Sequence, residues 1–197
     1  MNKITLRFIE LIMVAKMLLA YVAALFYKKR NIWVICERGR EARDNGYFFF
    51  KWLKKNKPEL QVYYILDKQH ADYYKLKDYE DCLIQYKSVN HFVMLYRASH
   101  LISTHVMGFT ENPSFFKKLD NIINVFPGKK RIFLQHGITK DDIPGLYADK
   151  NKLSLFICGG KLEHEYICNR YGYSPKVAQY TGFCRYDNLS IGCANKQ

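Results

Sequence analysis

His136 and Gly137 stand where an apolar segment of the chain gives way to a polar one. Residues 131–134 form a mostly apolar run of strand length, and residues 139–142 are polar. In an open α/β sheet, ligands bind beyond the carboxyl ends of the strands, where loops carry titratable side chains. A histidine there can accept the proton of an attacking hydroxyl, because its ordinary pKa lies near neutrality. We therefore predict that His136 is a catalytic base; the alternative is a histidine that only bonds to backbone at its strand end.

A second glycine turn at a strand end lies further along the chain. It has the sequence Thr181-Gly182-Phe183-Cys184-Arg185-Tyr186-Asp187. In this order, the His-Gly pair and this turn resemble the CDP-glycerol glycerophosphotransferase family, the enzymes that build teichoic acids and glycerol-phosphate-containing capsules. The resemblance covers residues 31–189. It departs from the commonest pattern at Gln135, where an aromatic residue often precedes the histidine, and at Ile138, where a threonine often follows the glycine.

The resemblance implies a phosphoryl transfer. A hydroxyl of a lipid-linked glycan or teichoic acid acceptor would attack the β-phosphate of CDP-glycerol, and CMP would leave. His136 would take the proton of that hydroxyl, and no organic cofactor is implied. The residues that we expect to contact substrate lie at strand ends: Gly137, Lys140, Asp141, His105, Glu37, Asn45 and Arg185.

Some of these residues have a structural alternative. Lys140, Asp141 and Asp142 could position phosphate or a magnesium ion. Asp141 and Asp142 also suit the first turn of a helix, where carboxylates meet the positive end of the helix dipole. Glu37, Arg38 and Asn45, beyond the first predicted strand, could contact acceptor hydroxyls or be solvated loop residues.

Apolar runs of strand length alternate with helix-length stretches through residues 31–189. Such strand, helix, strand repeats predict a parallel sheet. The predicted strands are 32–36, 62–66, 82–85, 101–104, 131–134, 154–158 and 177–180, and the predicted helices are 44–56, 71–77, 89–98, 114–119 and 162–171. We therefore expect an α/β fold with a Rossmann-like parallel sheet of about seven strands. The first strand is not followed by a GxGxxG turn, so a dinucleotide cofactor is not indicated.

The resemblance also implies a domain arrangement. The family has two Rossmann-like domains that face each other across a cleft, the GT-B arrangement, and the activated donor is held mainly by the second. Residues 31–189 would correspond to the N-terminal, acceptor-binding half. We expect residues 190–197 to be an irregular tail and the donor domain to be absent from this chain, so that a partner chain could carry it.

Composition limits the class of protein and its partners. The chain has 197 residues, 49% hydrophobic and 25% charged, which is typical of a globular domain with one core. Its formal charge of +13 favours a polyanionic partner, which could be phospholipid, nucleic acid or a polyphosphate chain. No zinc-finger or RNA-binding signature accompanies the basic residues, so we do not expect nucleic acid. The six cysteines have no metal-binding spacing and are interpreted as reduced thiols.

Residues 1–30 predict a membrane-associated helix. They are mostly apolar but include Glu10 and Lys16, and they end in Lys28-Lys29-Arg30, which would favour an anionic lipid surface. The free energy of insertion is near zero, so a single span and a helix lying in the interface both stay open. A cleaved signal peptide and a buried terminal helix are further alternatives. We expect the domain to lie at the cytoplasmic face of the cell membrane.

Two other functions remain open at this point. The chain could be a non-catalytic module that binds acceptor and needs a partner donor domain. It could also be a GT-B glycosyltransferase that uses a sugar nucleotide. Release of CMP or UDP from the corresponding donor, and its dependence on His136, separates these functions from the glycerophosphotransferase.

Overall fold

The protein is built on a single sheet of seven parallel strands. The computed structural model describes residues 3–29 and 31–189. The strands lie in the order β3-β2-β1-β4-β5-β6-β7. Their bounds are β1 Ile32–Cys36, β2 Gln61–Leu66, β3 Leu83–Gln85, β4 Ala98–Ser103, β5 Lys130–Phe133, β6 Leu155–Cys158 and β7 Ala178–Tyr180. The α/β class and the parallel, Rossmann-like sheet predicted from the sequence are confirmed.

Within the described ranges, five named α-helices and four 3-10 segments accompany the sheet. The helices are α1 Lys3–Leu25, α2 Asn45–Asn56, α3 Val89–Arg97, α4 Pro113–Ile123 and α5 Lys161–Tyr171, and the 3-10 segments are Ala71–Cys82, Pro144–Leu146, Ala148–Lys150 and Cys184–Tyr186. Polar side chains define several helix starts, since Ser88 accepts the amide hydrogen of His91 and Asn112 that of Phe115. The short helix predicted at residues 71–77 is a longer 3-10 segment with a kink at Tyr79.

The strand order creates a crevice between β1 and β4. From β1 the chain first moves outward to β2 and β3, and it then returns to place β4 on the other side of β1. The loops after β1 and β4 therefore leave in opposite directions, and a crevice opens at their carboxyl ends. This is the place where ligands bind in open α/β sheets. The loops that carry Glu37 and His105 begin there.

Helix α1 packs on the outside of α3 through one apolar face. Met13, Met17, Ala20 and Ala24 are buried in the cluster that contains Phe92 of α3. Their spacing of three or four residues places them on one side of a helix. No helix within residues 3–29 and 31–189 is both long and apolar enough to cross a bilayer.

A buried ion pair joins α4 to β5. The guanidinium of Arg131 donates two hydrogen bonds to the carboxylate of Asp120, with N–O distances of 2.6 and 2.7 Å. Burial alone would raise the pKa of Asp120, but the hydrogen bonds and charge of Arg131 hold that pKa below its ordinary value. The pair fixes the start of β5, and the loop that carries His136 leaves the other end of that strand.

We expect Asp120→Ala to destabilise the fold by about 3–5 kcal/mol, because it leaves the Arg131 guanidinium buried without its partner. Urea unfolding followed by circular dichroism measures this loss. Glu165→Ala is the control: Glu165 forms an exposed pair with Lys161 at 3.9 Å, so its loss should not change the free energy of unfolding measurably. Equal stabilities of the two variants would contradict a structural role for the buried pair.

Candidate active site

The carboxyl edge of the sheet concentrates unusual backbone conformations. Four non-glycine residues in the loops that leave this edge have a positive φ: Arg38 (54°), Lys87 (64°), Met107 (57°) and Gln135 (57°). They follow β1, β3, β4 and β5, respectively. A left-handed conformation costs a non-glycine residue about 1–3 kcal/mol and tends to persist where it serves a function. The strain therefore points to this edge as the functional surface.

His136 and His105 lie together at this edge as a stacked pair. Their ring centroids are 4.5 Å apart and their planes differ by 11°. The Nδ1 atom of His136 is 3.3 Å from the carbonyl oxygen of Thr104, and the His136 side chain is exposed. With the proton on Nδ1 donated to that carbonyl, Nε2 is left with a free lone pair. The geometry thus suits His136 to act as a base through Nε2.

The second ring of the pair is neutral at ordinary pH. Burial, followed by the charges of Arg38 and His136, lowers the pKa of His105 to about 4. Stacking on His105 can therefore hold the ring plane of His136, and the neutral His105 does not compete for the proton.

Glu163, in the first turn of α5, fixes the loop that carries His136. Its buried carboxylate accepts hydrogen bonds from the Gln135 side-chain amide (2.8 Å), the Thr139 backbone amide (2.5 Å) and the Gly159 backbone amide (2.6 Å). The hydroxyl of Thr139 also donates to Oε1 of Gln135, at 3.2 Å. Residues on both sides of the His-Gly pair are thus tied to one carboxylate.

Asn45 and Arg185 join the same site from distant parts of the sequence. The Asn45 side chain donates to the backbone oxygen of Gln135 (2.8 Å) and accepts the backbone amide of Arg185 (3.1 Å). The Arg185 guanidinium pairs with Asp44 at 3.0 Å. A Cβ placed on Gly137 would lie 3.8 Å from the same guanidinium. The structure therefore brings His136, Gly137, His105, Asn45 and Arg185 together, and their contact with substrate stays a prediction.

Glu37 has a structural position. It is fully buried, and its carboxylate accepts backbone amides of Arg43 (3.0 Å), Asp44 (3.1 Å) and Tyr47 (2.7 Å). Burial raises the pKa of Glu37, and these three hydrogen bonds offset part of the rise. Because its oxygens already hold the start of α2, we leave Glu37 out of the proposed substrate contacts.

Lys140 and Asp141 lie further out on the same loop and are exposed. The interpretation that Asp141 and Asp142 open a helix is wrong, since residues 139–143 have no helical structure. Asp142 instead pairs with Arg170 and accepts the hydroxyl of Tyr147, because α5 lies beside this loop. Within the described ranges, no three His, Cys, Asp or Glu side chains are arranged to hold a metal ion. A magnesium ion at Asp141 stays a prediction.

Comparison with known proteins decides the family. A family model described as CDP-Glycerol:Poly(glycerophosphate) glycerophosphotransferase matches residues 17–190. The chain belongs to this family. The Minor teichoic acid biosynthesis protein GgaB of Bacillus subtilis (strain 168) is 31% identical over 178 residues, which are 87% of this chain and 19% of GgaB.

Solved structures of the Wall Teichoic Acid Polymerase TagF share the fold. One covers 98% of this chain and 49% of the TagF chain, with a TM-score of 0.57 and 14% identity. The match to a TagF variant soaked with CDPG covers 100% of this chain and 53% of the TagF chain, with a TM-score of 0.56 and 13% identity. This chain therefore spans about half the length of the TagF chains and a smaller share of GgaB.

Two residues of the site were missed by sequence reasoning. Thr104 contributes a backbone oxygen, which no side-chain pattern reveals. Glu163 stands three residues after Gly160, the N-cap of α5, and an acidic residue at that helix position commonly accepts backbone amides. That spacing was a usable signal, but it did not show that the partners would be Gln135 and Thr139.

We expect Glu163→Gln to loosen the His136 loop. The amide nitrogen of glutamine is a hydrogen-bond donor, and it would face N–H groups that now donate to the Glu163 carboxylate. Hydrogen exchange of the Thr139 and Gly159 amides should be about tenfold faster, which corresponds to a loss of about 1.4 kcal/mol per hydrogen bond. Glu165→Gln, an exposed site on the same helix, should leave both rates unchanged. Unaltered exchange in Glu163→Gln would show that its carboxylate does not hold the loop.

Proposed function

We propose that this chain provides the acceptor-activating part of a glycerophosphotransferase for teichoic acid or capsular polysaccharide synthesis. A hydroxyl oxygen of a membrane-linked acceptor bonds to the β-phosphorus of CDP-glycerol, the bond from that phosphorus to the bridging oxygen breaks, and CMP leaves. His136 takes the hydroxyl proton on Nε2. The observation that carries the proposal is an exposed imidazole whose Nδ1 faces the Thr104 carbonyl and whose ring lies on a neutral His105.

The basic groups around His136 suit a phosphate substrate. Arg185 lies beside Gly137, and Lys140 is exposed on the same loop. Phosphoryl transfer depends mainly on positioning and on neutralising charge on the transferring group. Since this chain spans about half of TagF, we propose that polypeptide outside residues 31–189, in a second domain or a partner chain, holds CDP-glycerol opposite His136.

We expect His136→Asn to lower CMP release by about 10²–10⁴-fold, since it removes the base. The assay incubates membranes that contain the chain with CDP-glycerol and a lipid-linked acceptor. His164→Asn, which changes a histidine on α5 outside the site, is the matched control and should retain activity. Loss of activity in both variants, or in neither, would contradict a specific role for His136.

Two further outcomes of this assay support the alternatives. Retained acceptor binding without CMP release would indicate a non-catalytic acceptor-binding module. Release of UDP from UDP-sugars, without CMP release from CDP-glycerol, would indicate a GT-B glycosyltransferase. Either outcome replaces the proposed transfer.

We also propose that α1 lies in the interface of an anionic membrane at the cytoplasmic face. Opposite the face that packs on α3, a stripe of apolar side chains is exposed: Leu11 (66%), Leu18 (66%), Val22 (54%) and Leu25 (65%). Lys28 and Lys29 follow the helix and are also accessible. Exposed apolar patches with basic flanks are typical of helices that lie on anionic lipid.

We expect Leu18→Glu with Leu25→Glu to reduce binding to phosphatidylglycerol vesicles by at least about tenfold, because burying each leucine contributes about 1.5–3 kcal/mol. Cosedimentation measures the bound fraction. Leu162→Glu changes a leucine on α5 that is 83% exposed and should bind vesicles as the unaltered chain does. Equal binding of all three proteins would remove α1 from the proposed interface.

A further inference from the structure

A groove of about 170 Å³ opens where the end of α1 meets the loop between α4 and β5. Ala24 and Leu25 of α1 form part of its apolar wall, and two cations, Arg97 and Lys129, also line it. Arg97 directly precedes β4 and Lys129 directly precedes β5, so the groove lies at the amino edge of the sheet. His136 follows the opposite end of β5. The groove is therefore separate from the candidate active site.

The two cations of the groove are neighbours without an acidic partner. Nζ of Lys129 donates to the backbone oxygen of Tyr96 at 2.7 Å. The guanidinium of Arg97, the next residue, donates to the backbone oxygen of Lys29 at 3.2 Å. Within the ranges 3–29 and 31–189, no carboxylate lies within ion-pair distance of either cation. Five other described arginines do have such a partner: Arg40, Arg43, Arg131, Arg170 and Arg185.

Partial burial makes this arrangement unfavourable unless an anion joins it. Both cations are half-buried, and Nε of Arg97 is shielded from solvent with no hydrogen-bond partner among the described residues. Burial, followed by the charge of Arg97, lowers the pKa of Lys129. An anion between the two cations would offset their repulsion. Phosphate suits this pair, since guanidinium and ammonium groups can each donate to its oxygens.

The surroundings of the groove indicate a phosphate that is carried by a lipid. Leu25, which lines the groove, is 65% exposed, and the next residue, Phe26, is 79% exposed. The accessible Lys28 and Lys29 follow. A volume of 170 Å³ equals that of about five or six water molecules in the liquid, which suffices for a phosphate group but not for acyl chains. The acyl chains would then lie outside the groove, along the exposed apolar surface of α1.

We propose that this groove binds the phosphate of an anionic phospholipid headgroup between Arg97 and Lys129, while the acyl chains stay in the bilayer beside Leu25. The inference rests on the proposed membrane contact of α1 and extends it from general attraction to a defined headgroup site. On α1 alone, the domain could roll about the helix axis. A headgroup held beside the helix removes that freedom and so orients the carboxyl edge that carries His136.

The first experiment uses a soluble lipid and needs no membrane. Dihexanoyl phosphatidic acid, below its critical micelle concentration, is added to the full chain while proton–nitrogen NMR follows the arginine Nε–H resonances. The resonance that Arg97→Lys removes should shift in a saturable way. The resonance of Arg43, which pairs with Asp72 at 3.0 Å, should stay in place. Lys129→Gln should weaken binding about tenfold, the loss expected for one charge-assisted hydrogen bond.

Several results of this titration would overturn the headgroup site. One is an Arg97 resonance that does not respond to the lipid. Another is an equal response to inorganic phosphate at the same concentration, which would assign the groove to a free anion. An equal response to dihexanoyl phosphatidylcholine would show that the groove does not select an anionic headgroup.

Vesicles of equal surface charge test the site on a membrane. The anionic component in phosphatidylcholine is phosphatidic acid in one preparation and oleate in the other, and cosedimentation measures binding of the full chain. The unaltered chain should bind the phosphatidic acid vesicles about tenfold more tightly. Arg97→Gln with Lys129→Gln should lose this preference. Lys51→Gln with Lys55→Gln removes the same charge from exposed positions on α2 and should retain it.

The outcomes separate this inference from the proposed membrane contact of α1. A preference that persists in Arg97→Gln with Lys129→Gln would contradict the groove. A saturable shift of the Arg97 resonance, together with equal vesicle binding by Leu18→Glu and the unaltered chain, would support the groove and refute the contact through α1.

Discussion

The position of His136 depends on one buried carboxylate. Glu163 accepts hydrogen bonds from Gln135, Thr139 and Gly159, which lie in the loops that follow β5 and β6. Without these bonds, the left-handed backbone of Gln135 would be held mainly by the Asn45 side chain, which donates to its carbonyl oxygen. The loop would then be free to turn the imidazole away from the Thr104 carbonyl. The site is thus held by a residue that does not face substrate.

The same use of carboxylates recurs across the site. Glu37 holds the start of α2, Asp44 pairs with Arg185, and Asp120 pairs with Arg131. These carboxylates therefore fix backbone or arginines, while His136, Arg38, Lys140 and Asp141 are open to solvent. An edge with this balance favours anionic substrates, in keeping with a family that transfers glycerol phosphate.

Helix α1 explains why its sequence has no clear polar face. One stripe packs on α3, and the opposite stripe is exposed but equally apolar. Because both faces of the helix are apolar, the hydrophobicity of its sequence is nearly uniform around the helix axis. The sequence pattern alone therefore could not distinguish a buried helix from an interfacial one. The contacts show the buried face, and the exposed face carries the proposed membrane contact.

The sequence alone determined the fold class, because alternating strand and helix periods are local properties that parallel sheets require. It also placed His136 and His105 at strand ends. Tertiary structure decided the contacts of the site residues. His105 stacks on His136, the Asn45 side chain accepts the backbone amide of Arg185, and Glu37 and Glu163 are buried. Local pattern could not predict these contacts, since partners separated by tens of residues meet only when the crossovers have set the strand order. The same holds for Asp142. Its sequence position suggested the first turn of a helix, but its carboxylate pairs with Arg170 because α5 packs beside its loop.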